Sequence, residues 1–175
     1  MRLLHFMLVM MMVLAFTGCN PAASAVLQNP LAAQQNNFEV NAAITFGKLS
    51  ATAIIKRENP QACSVSFMSP SSLEGLSFMF EAERIDLSYK SLILSVNPNS
   101  MPGGAIAVAT VGALNAAMSD RDISVSSAGN ALTLSGSLYN EGFVLALDEK
   151  SCEILRLDIP GQELSVDFSG FTLIS

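Results

Sequence analysis

The sequence predicts a mainly β protein with one helix: a single large antiparallel sheet that curls or closes, crossed by an apolar helix near residues 104–118. Three observations carry this. From residue 37 onward the side chains alternate apolar and polar with a period of two. Ten or eleven such short runs follow one another, separated by Gly, Asn, Pro, Asp and Ser. One alanine-rich stretch breaks the alternation and takes up helical spacing. The length, 175 residues, suits one domain, or one domain plus appendages. Half the residues are hydrophobic and 14% are charged, which excludes a disordered polyelectrolyte. A net charge of −6 opposes non-specific binding to nucleic acid, so no nucleic-acid partner is expected.

The chain opens with Arg2 followed by an almost unbroken apolar run over residues 3–16. A basic start, a short apolar core and small residues at its end make an export signal. Phe16-Thr17-Gly18-Cys19 resembles the bacterial lipobox, in which the signal is cut before Cys and the thiol is acylated, as with palmitate. Thr17 and Gly18 are small enough for a peptidase groove, and Phe16 stands where Leu is usual. The alternative is a transmembrane anchor. At about 14 residues, or roughly 21 Å of helix, the run falls short of the roughly 20 residues a span needs. Residues 1–18 are therefore read as a lipoprotein signal peptide and Cys19 as the lipid attachment site, which places the protein on the extracytoplasmic face of a bacterial membrane. Cleavage removes Arg2 and His5 and leaves no histidine. The positive mean hydropathy of +0.43 is partly the signal's contribution.

Residues 19–36 read as a lipidated tether, with two prolines, no charge and room for a short helical turn near Leu31. The domain occupies residues 37–175. Phe38, Val40, Ala42, Ile44 and Phe46 form one face of its first strand. Gly47-Lys48 turns the chain into a second strand with Ala51, Ala53 and Ile55 on the same face. Cys63, Val65 and Phe67 alternate next, before a break at Ser69-Pro70-Ser71-Ser72. Further strands are expected over residues 76–81, 84–90 and 92–96, then over 123–127, 131–138, 142–147, 152–159 and 164–169. Between the two sets, Val108, Val111, Leu114, Ala117 and Met118 recur at helical spacing behind Pro102-Gly103-Gly104. Asn99 or Ser100 is a candidate cap, and Ser119-Asp120 a candidate end. With almost no polar face, this helix must be buried on most sides or form a binding surface.

The layout resembles the LolA/LolB lipoprotein-carrier family over about residues 37–171. The resemblance is carried by the opening hairpin and by Val65-Ser66-Phe67-Met68-Ser69-Pro70-Ser71-Ser72-Leu73-Glu74-Gly75-Leu76. Ile85-Asp86-Leu87-Ser88-Tyr89, Leu92-Ile93-Leu94, the proline-led helix, Gly142-Phe143-Val144-Leu145-Ala146-Leu147-Asp148 and Leu155-Arg156-Leu157-Asp158-Ile159-Pro160 continue it. It implies an unclosed antiparallel β half-barrel with a helical lid and a cavity for acyl chains. The lipobox matches the membrane-attached branch. The chain departs from that branch in having no Trp and no long loop with an apolar tip.

Catalytic chemistry finds little support. Without a histidine in the mature chain, the usual activation of a serine nucleophile is lacking. Cys63 and Cys152 are far apart and form no C-x-x-C pair, so no zinc or redox centre is expected. In an exported protein they are a candidate disulfide; the alternative is two partly buried thiols. Glu81 and Glu83 lie two apart, as an acid–base pair on one strand face would, but with no aromatic subsite or second polar cluster beside them a solvated face accounts for them better. Asp120-Arg121-Asp122 reads as a cation site or as a charged turn, and Pro102-Gly103-Gly104 lacks the frame of a phosphate loop. No metal, cofactor or enzymatic activity is expected.

Phe38, Phe46, Phe67, Phe78 and Phe80, with Leu94, Val111, Leu114 and Met118, are the candidate lining of a pocket between sheet and helix. The alternative is that they form an ordinary core. The function expected is that of a lipid-anchored extracytoplasmic protein binding a lipid, an acyl chain or a lipidated protein. The alternative is a protein-interaction module of the cell envelope with no ligand, as the resemblance implies for LolA-like lipoproteins of the germination machinery.

Overall fold

A computed structural model describes residues 29–33, 37–59, 61–82, 84–100, 105–119 and 122–174. The export signal, Cys19, Glu83, Pro102-Gly103-Gly104 and Asp120-Arg121 lie outside the described residues. A helical turn, α1 (Pro30–Ala33), precedes β1 (Phe38–Phe46), β2 (Leu49–Asn59), β3 (Ala62–Ser69), β4 (Leu76–Phe80), β5 (Ile85–Tyr89) and β6 (Leu92–Val96). Helix α2 (Ile106–Ser119) follows, then β7 (Ser124–Ala128), β8 (Ala131–Leu138), β9 (Glu141–Asp148), β10 (Ile154–Ile159) and β11 (Leu164–Leu173).

All eleven strands form one antiparallel sheet in the order β6-β5-β4-β3-β2-β1-β11-β10-β9-β8-β7. Each half is a meander of hairpins, and the halves join where β1 pairs β11. The sheet is open: β6 and β7, which flank the helix in sequence, are its two edges. This is the unclosed half-barrel with one helix that the resemblance implied.

Residues directly opposite in an antiparallel pair project to the same face. The ladder Phe80, Cys63, Arg57, Phe38 and the ladder Phe78, Val65, Ile55, Val40 both run along one face, and Ile44, four residues further along β1, shares it. Beyond β11 the same face continues through Val166, Leu157, Leu145 and Leu134. Nearly all of these side chains are buried in one continuous core. A flat sheet of eleven strands would be about 48 Å wide at about 4.8 Å per strand. A helix of 14 residues is about 21 Å long. One such helix covers only part of so wide a surface, and edge strand β6 is left exposed.

Helix α2 is the cover. Ala107, Val108, Ala109, Thr110, Val111, Ala113, Leu114 and Ala117 are buried, residues from every side of the helix. Gly112 permits its approach to β8, because a Cβ there would stand 2.9 Å from Cδ2 of Leu138. Asn99 and Ser100, expected as caps, instead belong to a 3-10 turn, Pro98–Ser100, that ends well ahead of the helix. Ser119 does end it, its hydroxyl donating to the Ala116 carbonyl at 2.8 Å.

The packed body begins earlier than residue 37. Asn29 and Leu31 are buried. The Asn29 side-chain amide donates to the Ala117 carbonyl at 2.6 Å, and its Oδ1 accepts the Leu31 N–H at 3.0 Å. One side chain thus satisfies a C-terminal carbonyl of α2 and an N-terminal amide of α1, both of which helix geometry leaves unpaired. Cys63 and Cys152 are free thiols. Cys63 sits in β3 and Cys152 in the β9–β10 connection, with β2, β1, β11 and β10 between β3 and β9 in the sheet.

Candidate cleft between helix and sheet

A cleft of about 290 Å³ lies where the middle of α2 passes the β4–β5 end of the sheet. Its apolar wall combines Phe80, Ile85, Val108 and Val111. Phe80 and Ile85 are cross-strand partners on the inward face, and Val108 and Val111 are three apart on the helix. Gly112 and Asn115 complete the helix side. Gln61 from the β2–β3 turn, Pro98, Tyr139 and the Glu81-Ala82 turn border the rest. Tyr139 reaches this position from the two-residue turn between β8 and β9. There Tyr139 and Asn140 hold φ of 51° and 67°, the left-handed pair such hairpins need.

The nine side chains expected to line a pocket divide into four groups. Phe80 and Val111 line the cleft. Phe38, Phe67, Phe78 and Leu114 are buried in the closed core, where Phe38 stacks on Phe171 at 5.1 Å and Phe67 meets Phe78 edge-on at 6.2 Å. Phe46 and Met118 are half-buried at the core margin. Leu94, on edge strand β6, is 60% exposed. Four of the nine therefore belong to the closed core and two to the cleft wall.

Beside the cleft the helix is fixed by a polar contact. Arg57 occupies an inward position of β2, between Phe38 on β1 and Cys63 on β3, and is 5% exposed. Its Nη1 donates to Oδ1 of Asn115 at 2.5 Å. Burial pulls the guanidinium below its ordinary pKa, opposed by the neighbouring Cys63. Burial also pushes the Cys63 thiol up to about 11, with the Arg57 charge acting in the other direction. Cys63 is thus a protonated core side chain, unsuited to nucleophilic work at neutral pH.

Of the Glu81–Glu83 candidate pair, Glu81 alone is among the described residues. Glu81 stands in the turn after β4 rather than on the strand, and its Oε2 lies 3.0 Å from Nε of Arg84. Among the described residues, no group of three His, Cys, Asp or Glu side chains is placed to hold a metal. No described helix is long and apolar enough to cross a membrane.

Sequence reasoning missed Gln61, Ile85, Pro98, Val108, Asn115 and Tyr139 in the cleft, and Arg57 beside it. For Arg57 a signal existed. It continues the inward series Ala51, Ala53, Ile55, and a cation at that register must find a buried partner.

No family model matches the chain, and no curated protein matches its sequence. Among solved structures, an uncharacterized conserved protein from Thermus thermophilus is similar at a TM-score of 0.60 and 11% identity, covering 88% of each chain. A LolA superfamily protein from Nitrosomonas europaea is similar at 0.45 and 12% identity, over 87% of this chain and 94% of the other. A chain in the structure of the CwlD amidase from Clostridioides difficile in complex with the GerS lipoprotein is similar at 0.44 and 12% identity, over 73% and 78%. At these identities the likeness is one of fold. The chain has an open antiparallel sheet with one apolar helix laid across its inner face.

Proposed function

We propose that the protein is an extracytoplasmic binding protein, held on a membrane through acylated Cys19, that takes a single acyl chain or the chain of a lipidated protein into the cleft beneath α2. The observation that supports this most is the apolar wall of Phe80, Ile85, Val108 and Val111 around about 290 Å³ at the helix–sheet seam. At about 30 Å³ per water-sized group, that space admits about ten carbons. Each methylene taken from water contributes about 0.8 kcal/mol, so partial occupancy gives a releasable ligand. Two seams meet at the cleft, the Arg57–Asn115 contact and the apolar packing of α2, and displacement of the helix along them would widen it.

The test uses the full chain reconstituted in phosphatidylcholine vesicles with a diazirine-bearing monodecanoylglycerol. Light should label peptides containing Phe80 or Val111, and Val111→Trp, which fills the cleft, should remove that labelling. Labelling that ignores Val111→Trp rejects the cleft as the binding site.

A second reading, an envelope interaction module without a ligand, is favoured by edge strand β6. Leu92, Ile93 and Leu94 there are 72%, 75% and 60% exposed. Such an edge is a template for pairing with another chain. Loss of acyl labelling at the cleft in the unmodified protein would leave this reading in place.

A further inference from the structure

A second concavity adjoins the cleft. It encloses about 460 Å³ and is lined by Asn59, Gln61, Ala62, Glu81, Ala82 and Arg84. Gln61, Glu81 and Ala82 border both spaces. An apolar cleft that opens directly onto a polar groove has the shape of a site for an amphiphile. The chain enters under the helix and the head rests between the β2–β3 and β4–β5 turns. We propose that this head is uncharged and rich in hydrogen-bonding hydroxyl or amide groups, and that carboxylate-headed or phosphate-headed chains are disfavoured. The inference rests on the acyl-binding reading above and specifies its ligand class.

The charges of the groove carry the argument. Among the described residues that line it, Arg84 is the one cation, and its Nε lies 3.0 Å from Glu81 Oε2 and 3.2 Å from Asp86 Oδ2. One guanidinium thus faces two carboxylates, and an arriving anion would meet Glu81 with the nearby positive charge already engaged. Lys56 on the outer face of β2 is paired with Glu58 at 2.6 Å. Arg57 borders neither space, and its Nη1 is directed to Asn115. A cationic head would have to compete with Arg84 for the same two carboxylates, and exchanging one exposed ion pair for another yields little. An uncharged head faces neither obstacle. The amides of Asn59 and Gln61 supply both donors and acceptors, and the turn holding them is fixed by the Gln61 N–H donating to Asn59 Oδ1 at 2.8 Å.

The experiment uses the same full chain, vesicles and photoreactive glyceride. Monodecanoylglycerol, decanoate and decylamine are added as competitors at matched membrane concentrations and pH 8.5, high enough that membrane-bound decanoate, whose carboxyl pKa is raised by desolvation, is ionised while decylamine stays protonated. Monodecanoylglycerol should suppress labelling of the Phe80 and Val111 peptides at a concentration at least tenfold below that of either charged competitor. Glu81→Gln should shift the ratio of decanoate to glyceride competition several-fold toward decanoate. Decanoate or decylamine competing as well as the glyceride overturns the head assignment and leaves the acyl-binding reading standing. Absence of cleft labelling by the probe itself removes both.

Discussion

Strands β1 and β6 belong to one sheet and obey one rule, yet they end in opposite surroundings. Phe38, Val40, Ala42 and Ile44 of β1 are each exposed by 2% or less. Leu92 and Leu94 of β6, at equivalent inward positions opposite Tyr89 and Leu87, are 72% and 60% exposed. The residue types are equally apolar. The difference is what lies above them: β1 is central, at the junction of the two meanders, while β6 is an edge beyond the reach of a 14-residue helix. Alternation thus specifies which face a side chain takes, and cover specifies whether that face is dry. The cleft lies between the two regimes, where Phe80 and Ile85 are still near the helix and the strands beyond are not.

The comparison is tested most strongly by truncating one residue in each region. Leu145, fully buried on β9, should lose about 2–5 kcal/mol on Leu145→Ala, as transfer and cavity costs add. Leu94→Ala should stay within about 0.5 kcal/mol, the usual range for a surface change. Urea unfolding of the two variants reads both values. A Leu94→Ala cost near that of Leu145→Ala would mean the edge is covered in solution.

The two thiols contrast in the same way. A thiol whose folded pKa is raised from 9.0 to about 11 binds its proton more tightly in the folded state. Its contribution is fully present below about pH 9 and is lost as pH rises through about 11. Two units correspond to about 2–3 kcal/mol. Stability should therefore fall between pH 9 and pH 11, and Cys63→Ala should flatten that slope, as measured by chemical denaturation across the range. At pH 8 iodoacetamide should modify half-exposed Cys152 before buried Cys63.

A smaller effect sharpens the seam itself. Asn115 is exposed, so Asn115→Ala would ordinarily cost little. Here it strips the buried Arg57 of the 2.5 Å acceptor on the helix, and the expected cost is about 1–3 kcal/mol. Combining it with Arg57→Met should recover part of that loss, since the charge that had lost this acceptor is gone. Strictly additive losses in the double variant would show that the contact does not couple helix to sheet.

Much of the fold was legible because its signals are local. The Gly47-Lys48 turn, the alternation of Phe38 through Phe46 and the helix over residues 106–119 can each be read in a window of a dozen residues. The cleft was not legible in the same way. Phe80 and Val111 were identified, but Tyr139, Pro98 and Gln61 come from three separate connections that nothing local relates. Phe67, Phe78 and Leu114 resemble Phe80 and Val111 in type, and only packing sends the first three into the core and the last two to a wall.

By itself the sequence determined the alternating strands, the number of turns, the apolar helix and the acidic, histidine-poor chemistry, because these follow from residue type and spacing. The tertiary structure decided which strands became edges, where the helix came to rest and where space was left unfilled. It set Arg57 against Asn115 and placed the Glu81–Arg84 pair at the cleft mouth. Such outcomes depend on the geometry of elements far apart in the chain, and no short-range periodicity encodes the distance between them.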